Sequence, residues 1–211
     1  APGLPRIVFT SSLAVFGGSA MPDTVSDDTK ITPMTTYGMT KVVNELLLAD
    51  YTRKGFLDGR GARLPTVIIR PGKPNKAASS FASGVFREPL SGVDFELPVS
   101  HQTRMAVSGY RTIIDGIIAL HEAASDAIGD DRSLNLPSLS VTVAEMIDGL
   151  HRVAGNRQLG QINAVPDPAI QAICNGWPGR EKSPRADALG LPGDENLDAI
   201  IRAYIEDYVD A

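Results

Sequence analysis

The residue types that can do chemistry together fall within the first 75 positions. Tyr37-Gly38-Met39-Thr40-Lys41 sets a phenol and an ammonium four residues apart. On a helix that spacing puts both on one face, one turn from each other. A free tyrosine titrates near ~10, too high for a base at neutral pH, and an adjacent ammonium favours the ionised phenol. Phe9-Thr10-Ser11-Ser12-Leu13-Ala14-Val15-Phe16-Gly17 places small hydroxyls at a strand end, where open α/β sheets take their ligands. A Ser12 hydroxyl can hold a substrate oxygen while Tyr37, as phenolate, takes its proton. Removing hydride from the same carbon needs an acceptor that side chains do not supply, which points to a nicotinamide cofactor. Further on, Arg70-Pro71-Gly72-Lys73-Pro74-Asn75 is a turn rich in hydrogen-bonding groups. A Tyr-x-x-x-Lys pair alone arises often by chance. The serine run before it and the Pro-Gly turn after it make the signal specific.

These groups cooperate only if the chain brings them together. Arg6-Ile-Val-Phe-Thr10 is a short β-branched run that reads as a buried strand. From Thr36 to Lys54, Val42, Val43, Leu46, Leu47 and Tyr51 recur at helical spacing and Gly55 follows the end, which predicts a helix. Leu64-Pro-Thr-Val-Ile-Ile-Arg70 reads as a second buried strand closed by Pro71-Gly72. Strand, helix, strand is a right-handed βαβ unit in a parallel sheet. Beyond residue 72, helices are expected over 77–90, 110–124, 143–153, 167–174, 185–189 and 196–208, with short strands over 94–98 and 134–136. Thr142 and Glu145 have the spacing of a capping box. Ile113, Ile114, Ile117, Ile118 and His121 form the apolar face expected of the 110–124 helix.

Composition narrows the function classes. The 211 residues make one sizeable domain, with 43% hydrophobic and 21% charged residues, 20 Gly and 15 Pro, a globular balance. A net charge of −5 argues against nucleic-acid binding by phosphate neutralisation. The single cysteine, Cys174, excludes an internal disulfide and fits a reducing compartment. No apolar run approaches the ~20 residues that span a bilayer, and the first residues lack a signal-peptide pattern. A cytoplasmic protein without membrane contact is the expectation. His101, His121 and His151 have no ligand spacing, so no metal site is expected; His121 reads as a hydrogen-bonded core residue.

The Ser-Ser-x-Ala-Val-Phe-Gly run, the Tyr-Gly-x-x-Lys helix and the Arg-Pro-Gly turn, in that order and spacing, resemble the extended short-chain dehydrogenase/reductase family, the NAD-dependent epimerase/dehydratases. Arg-Pro-Gly-Lys-Pro-Asn-Lys-Ala-Ala and Glu-Leu-Leu-Leu-Ala-Asp-Tyr-Thr-Arg-Lys-Gly-Phe-Leu-Asp-Gly are similar to members that oxidise the 2-hydroxyl of a four-carbon sugar acid to the 2-oxo acid. The resemblance implies an α/β fold: part of a Rossmann-like doubly wound parallel sheet, with a small α+β substrate-binding region. Residues 1–75 would belong to the dinucleotide-binding domain, with later elements returning to it, and 76–211 mainly to the substrate-binding and capping region. It further implies Ser12 as substrate-holding serine, Tyr37 as base, and Lys41 as partner to both Tyr37 and the nicotinamide ribose. Ser11 and the Pro71-Gly72 turn would lie along the nicotinamide. The implied cofactor is NAD, with NADP the alternative, and the implied assembly is a homodimer through the Tyr37–Lys41 helix. Lys73, Asn75 and Arg104 are candidates for holding an acid substrate, since cations and amides bind carboxylates strongly.

One family feature is missing. No Gly-x-x-Gly-x-x-Gly turn, the usual pyrophosphate cradle, occurs in the sequence. The expectation is therefore a carboxyl-terminal portion of a longer enzyme, short by roughly 100 residues at ~30 per βαβ unit. Rival readings stay open: a nucleotide-sugar epimerase or dehydratase of the same family, or a non-catalytic NAD(P)-binding regulator. Leu13 and Ala14 stand where a dehydratase would carry its acids after Ser12. Plainer roles also stay open: Ser11 and Ser12 as a strand-end turn, Tyr37 and Lys41 as an exposed pair, Arg70 in a structural ion pair, Lys73 and Arg104 on solvated surface. Asp27, Asp28, Asp130 and Asp131 read as solvated loop acids, Cys174 as a buried small hydrophobe, and Trp177 as packing for the terminal helices.

Overall fold

The computed structural model describes residues 3–73 and 77–210. Strand β1 (Arg6–Ser12) leads through a 3-10 turn at Leu13–Val15 and a long loop into α1 (Thr36–Arg53), followed by β2 (Asp58–Leu64) and β3 (Thr66–Ile68). Then come α2 (Phe81–Leu90), β4 (Phe95–Leu97), β5 (Arg104–Gly109), α3 (Tyr110–Glu122) and α4 (Ser125–Ile128). The remainder is β6 (Ser133–Asn135), β7 (Leu139–Thr142), α5 (Val143–Ala154), β8 (Ile162–Ala164), α6 (Pro168–Asn175), α7 (Pro184–Ala188) and α8 (Leu197–Tyr208).

β1 and β2 pair in parallel along their whole length, from Arg6 opposite Asp58 to Ser12 opposite Leu64, and β6 adds to β2 in parallel. β3 pairs in parallel with β5, which pairs antiparallel with β7; β4 and β8 form a parallel pair. The βαβ unit is therefore present, but its second strand is not the one expected. Residues 64–70 do not form one strand: the chain breaks at Pro65, which has no N–H for a ladder, and the partner of β1 is β2. Asp58-Gly-Arg-Gly-Ala-Arg-Leu reads as polar because its arginines are charged. In the fold they are buried against specific partners. Arg60 donates to Asp58 at 2.7 Å and to the Leu120 carbonyl at 2.7 Å, which caps the end of α3. Gly61 has no room for a side chain, since a Cβ there would lie 2.1 Å from Ser133 Oγ.

Three apolar clusters hold the elements. Phe81, Phe86, Leu97, Met146, Leu150 and Ile201 join α2, α5 and α8 to the β4 and β5 region, and Trp177 packs against this cluster as expected. Ala62, Ile113, Leu120, Leu134 and Leu136 seal α3 onto the parallel sheet. Leu13, Val15, Phe16, Val25 and Ala106 form a third group beneath the end of β1. Cys174 is buried, and burial pushes its thiol up to about 11.

Four further expectations are corrected. On α3, Ile114 and Ile118 are exposed and only Ile113, Gly116 and Leu120 are buried; the His121 side chain is exposed and hydrogen-bonds the Glu122 carboxylate at 2.6 Å. On α1 the apolar Val43, Leu46, Leu47 and Tyr51 face outward, and the buried positions are Gly38, Glu45 and Leu48. Asp27 is not solvated: it is buried and accepts from the Asn135 and Arg185 N–H groups at 2.8 and 3.2 Å.

Candidate active site

β1 and α1 meet at the ends that carry the hydroxyls and the phenol. Thr35 caps α1, its side-chain oxygen accepting from Gly38 N–H at 3.0 Å. Gly38 is what lets the helix start this close: a Cβ there would stand 2.1 Å from the Ala14 carbonyl oxygen. Lys41 then reaches back to β1, its Nζ donating to the Thr10 carbonyl at 2.7 Å. The same ammonium stands 5.3 Å from the Tyr37 ring centroid and 4.9 Å from that of Phe9. Tyr37 and Lys41 thus lie on one side of the helix, beside the strand that ends in Ser12. Ser12 Oγ accepts from Ala14 N–H at 3.1 Å. Among the described residues nothing takes the Ser12 hydroxyl proton, so it is left to donate to a ligand.

A cleft of about 480 Å³ opens over this corner. Ser12, Tyr37 and Lys41 line one wall, and Leu13, Met105, Ala106, Ile173 and Trp177 supply an apolar surface. Arg104 lines it as well, though its guanidinium donates to the Ser140 carbonyl at 3.2 Å and lies 3.8 Å from Glu145. Ser11 borders the cleft, but it is buried and its hydroxyl donates to Glu45. Pro71, Gly72 and Lys73 are exposed and are not among the lining residues; Asn75 lies outside the described residues. Arg70, weighed from the sequence as part of a structural ion pair, instead lines the cleft, and its guanidinium has no ion pair or hydrogen bond among the described residues. Sequence reasoning missed Gly38 and Glu45, whose neighbours come from distant segments.

Residues 1–108 match the family described as NAD dependent epimerase/dehydratase. The chain belongs to this family. Among relatives of the epimerase/dehydratase type, D-erythronate dehydrogenase of Cupriavidus necator is 47% identical over 203 residues, covering 96% of this chain and 62% of that protein. D-erythronate dehydrogenase of Haemophilus influenzae is 45% identical over 201 residues, covering 95% and 64%. A crystal structure described as the nucleoside-diphosphate-sugar epimerase from Agrobacterium tumefaciens superposes with a TM-score of 0.92 at 42% identity, covering 98% of this chain and 60% of that one. The chain therefore spans somewhat less than two thirds of the relatives it matches, and its structural neighbours share the Rossmann-like architecture of the epimerase/dehydratase family.

The residues present fit one end of the dinucleotide that the family name implies. The apolar wall suits a flat ring, and the Lys41 ammonium and Tyr37 phenol are hydrogen-bonding groups suited to a ribose. No glycine-rich turn for a pyrophosphate occurs in the sequence.

Proposed function

We propose that this chain supplies the catalytic side chains of an NAD-dependent dehydrogenase that oxidises the 2-hydroxyl of a small sugar acid of the D-erythronate type to the 2-oxo acid. One observation carries the reading. A serine hydroxyl whose proton no described residue accepts, a phenol and an ammonium converge on one wall of a cleft that also presents a guanidinium unpaired among the described residues.

In this scheme Ser12 donates its free O–H to the substrate hydroxyl oxygen and fixes its direction. Tyr37 takes the hydroxyl proton as phenolate, while the Lys41 ammonium, anchored on the Thr10 carbonyl, offsets the developing negative charge. The C–H bond breaks as the carbonyl forms, and NAD, when bound, supplies the hydride acceptor. Arg70 and Arg104 are the cations placed to hold the substrate carboxylate, Arg70 being the one whose guanidinium has no partner among the described residues. The apolar surface of Leu13, Met105 and Ala106 keeps water from the reacting carbon. The outward apolar face of α1, with Val43, Leu46, Leu47 and Tyr51 exposed, supports a homodimer through that helix.

The relationship to the Agrobacterium epimerase keeps one second reading: hydride removal and return at a nucleotide sugar, with no net reduction of cofactor. The deciding assay follows NADH absorbance with the enzyme that carries this chain across four-carbon aldonates and nucleoside-diphosphate sugars, with NAD and NADP in parallel. Stoichiometric NADH with an aldonate is expected. Epimerised nucleotide sugar without NADH would replace the dehydrogenase reading with the second one.

A further inference from the structure

Glu45 continues the Tyr37–Lys41 spacing by one more turn, so the three side chains share a face of α1. It is nevertheless only 5% exposed, on a helix whose neighbouring Val43, Leu46 and Leu47 face outward. A carboxylate is costly to bury unless it is paired and hydrogen-bonded, and two strands supply the partners. Arg63 of β2, 2% exposed, donates through Nε at 3.1 and 3.2 Å to the two carboxylate oxygens and through Nη2 at 2.8 Å to Oε2. Its guanidinium carbon lies 5.5 Å from the Phe16 ring centroid. Ser11 of β1 donates to Oε1 of the same carboxylate. Ser11 and Arg63 stand opposite one another in the β1–β2 register. One carboxylate thus ties α1 to two adjacent strands at their carboxyl ends, next to Ser12.

We infer that Glu45 is a positioning residue for the reaction proposed above. Acting through Ser11 and Arg63, it fixes the rotation and height of α1 and so the separation of Tyr37 and Lys41 from Ser12. Lys41 on the Thr10 carbonyl holds α1 near the site, and Gly59 N–H donating to Thr52 Oγ1 at 3.0 Å holds its far end. The Glu45 clamp, between them, adds the directional contact nearest to Tyr37 and Lys41. Stability alone does not call for such a device, because a well-packed apolar pair commonly does as well as a buried ion pair. A planar guanidinium against a carboxylate adds directional geometry that an apolar pair lacks. Reaction geometry is where that matters, since a shift of about 1 Å can cost about 10²-fold in rate.

The test uses the enzyme that carries this chain and rests on the sugar-acid reaction. Glu45→Met combined with Arg63→Met removes both charges and leaves no unpaired ion in the interior. Ser11→Ala removes one hydroxyl and very little volume. We expect kcat to fall about tenfold or more in the double variant and about threefold in Ser11→Ala, with KM for sugar acid and for NAD within about twofold of the parent. If the double variant fails to fold, Ser11→Ala decides alone on the same criterion. Parental kcat in a folded variant, or a change confined to KM, overturns the positioning role. Tyr37→Phe is measured alongside. An active Tyr37→Phe overturns the reaction scheme and this inference with it, whereas an inactive Tyr37→Phe beside an unimpaired clamp variant overturns the inference alone.

Discussion

At the scale of single residues, the useful distinction is between cations already engaged by the protein and cations left for a ligand. Arg104 is hydrogen-bonded to Ser140 and lies near Glu145; Arg70 has no such partner among the described residues. A guanidinium–carboxylate hydrogen bond contributes about 1.5–3 kcal/mol. Arg70→Met should therefore raise KM for an acid substrate by roughly 10- to 100-fold with KM for NAD unmoved. Arg104→Met should raise it by only about threefold, because its guanidinium is partly committed already. Steady-state kinetics of the two variants side by side decide the matter. Equal effects in both overturn the distinction drawn between the two arginines, and no effect in Arg70→Met removes Arg70 from the substrate site.

At the scale of elements, the corner depends on a close approach of α1 to the turn after β1, and Gly38 permits it. Gly38→Ala would drive a Cβ into the Ala14 carbonyl oxygen, a backbone atom that cannot swing aside. Overpacking of this kind costs about 1–3 kcal/mol, and here it also pushes Tyr37 away from Ser12. The expected result is a lowered melting temperature together with a loss of kcat larger than the loss of fold accounts for. A variant with parental kcat would show that the approach is not needed. The same corner shows which parts of the fold a sequence exposes. Helix ends were legible where the signal is local: Thr142 and Glu145 form both halves of the capping box, and the Tyr37–Lys41 spacing predicts their shared face directly. β2 was illegible because its arginines look like surface residues until Asp58 of the same strand and, from other segments, Glu45 and the Leu120 carbonyl are in place. The outward face of α1 misled for the complementary reason. Its apolar residues have the right period, but the face that packs is the one carrying Lys41 and Glu45. β5 and β7 owe their strand form to pairing with each other and with β3, which no short window of sequence records.

At the scale of the whole molecule, the parallel sheet and the later elements are sewn together along one polar seam. Val25 N–H donates to the Arg180 carbonyl at 3.1 Å, and Lys182 N–H donates to the Val25 carbonyl at 2.9 Å. Between them Glu181 accepts from Ser138 Oγ at 2.8 Å and from Asn135 Nδ2 at 3.5 Å. Burial, reinforced by the nearby Asp27 carboxylate, pushes the Glu181 carboxyl up to about 7. An unfolded glutamate releases its proton near 4.5, so between these values the folded state binds more protons than the unfolded one. The stabilising contribution of Glu181 is thus fully present below pH 4.5 and is lost as pH rises through about 7. The full span is worth roughly 3 kcal/mol. Glu181→Gln cannot ionise, so its stability relative to the parent should rise across that window and level off above it. Melting temperatures of parent and variant from pH 4 to pH 8.5 provide the comparison. Because Trp177 and Pro178 line the cleft just before this seam, the parent should also lose order at that wall first as the pH rises. Parallel melting curves for the two proteins would mean that Glu181 stays ionised in the fold and that the seam is insensitive to pH.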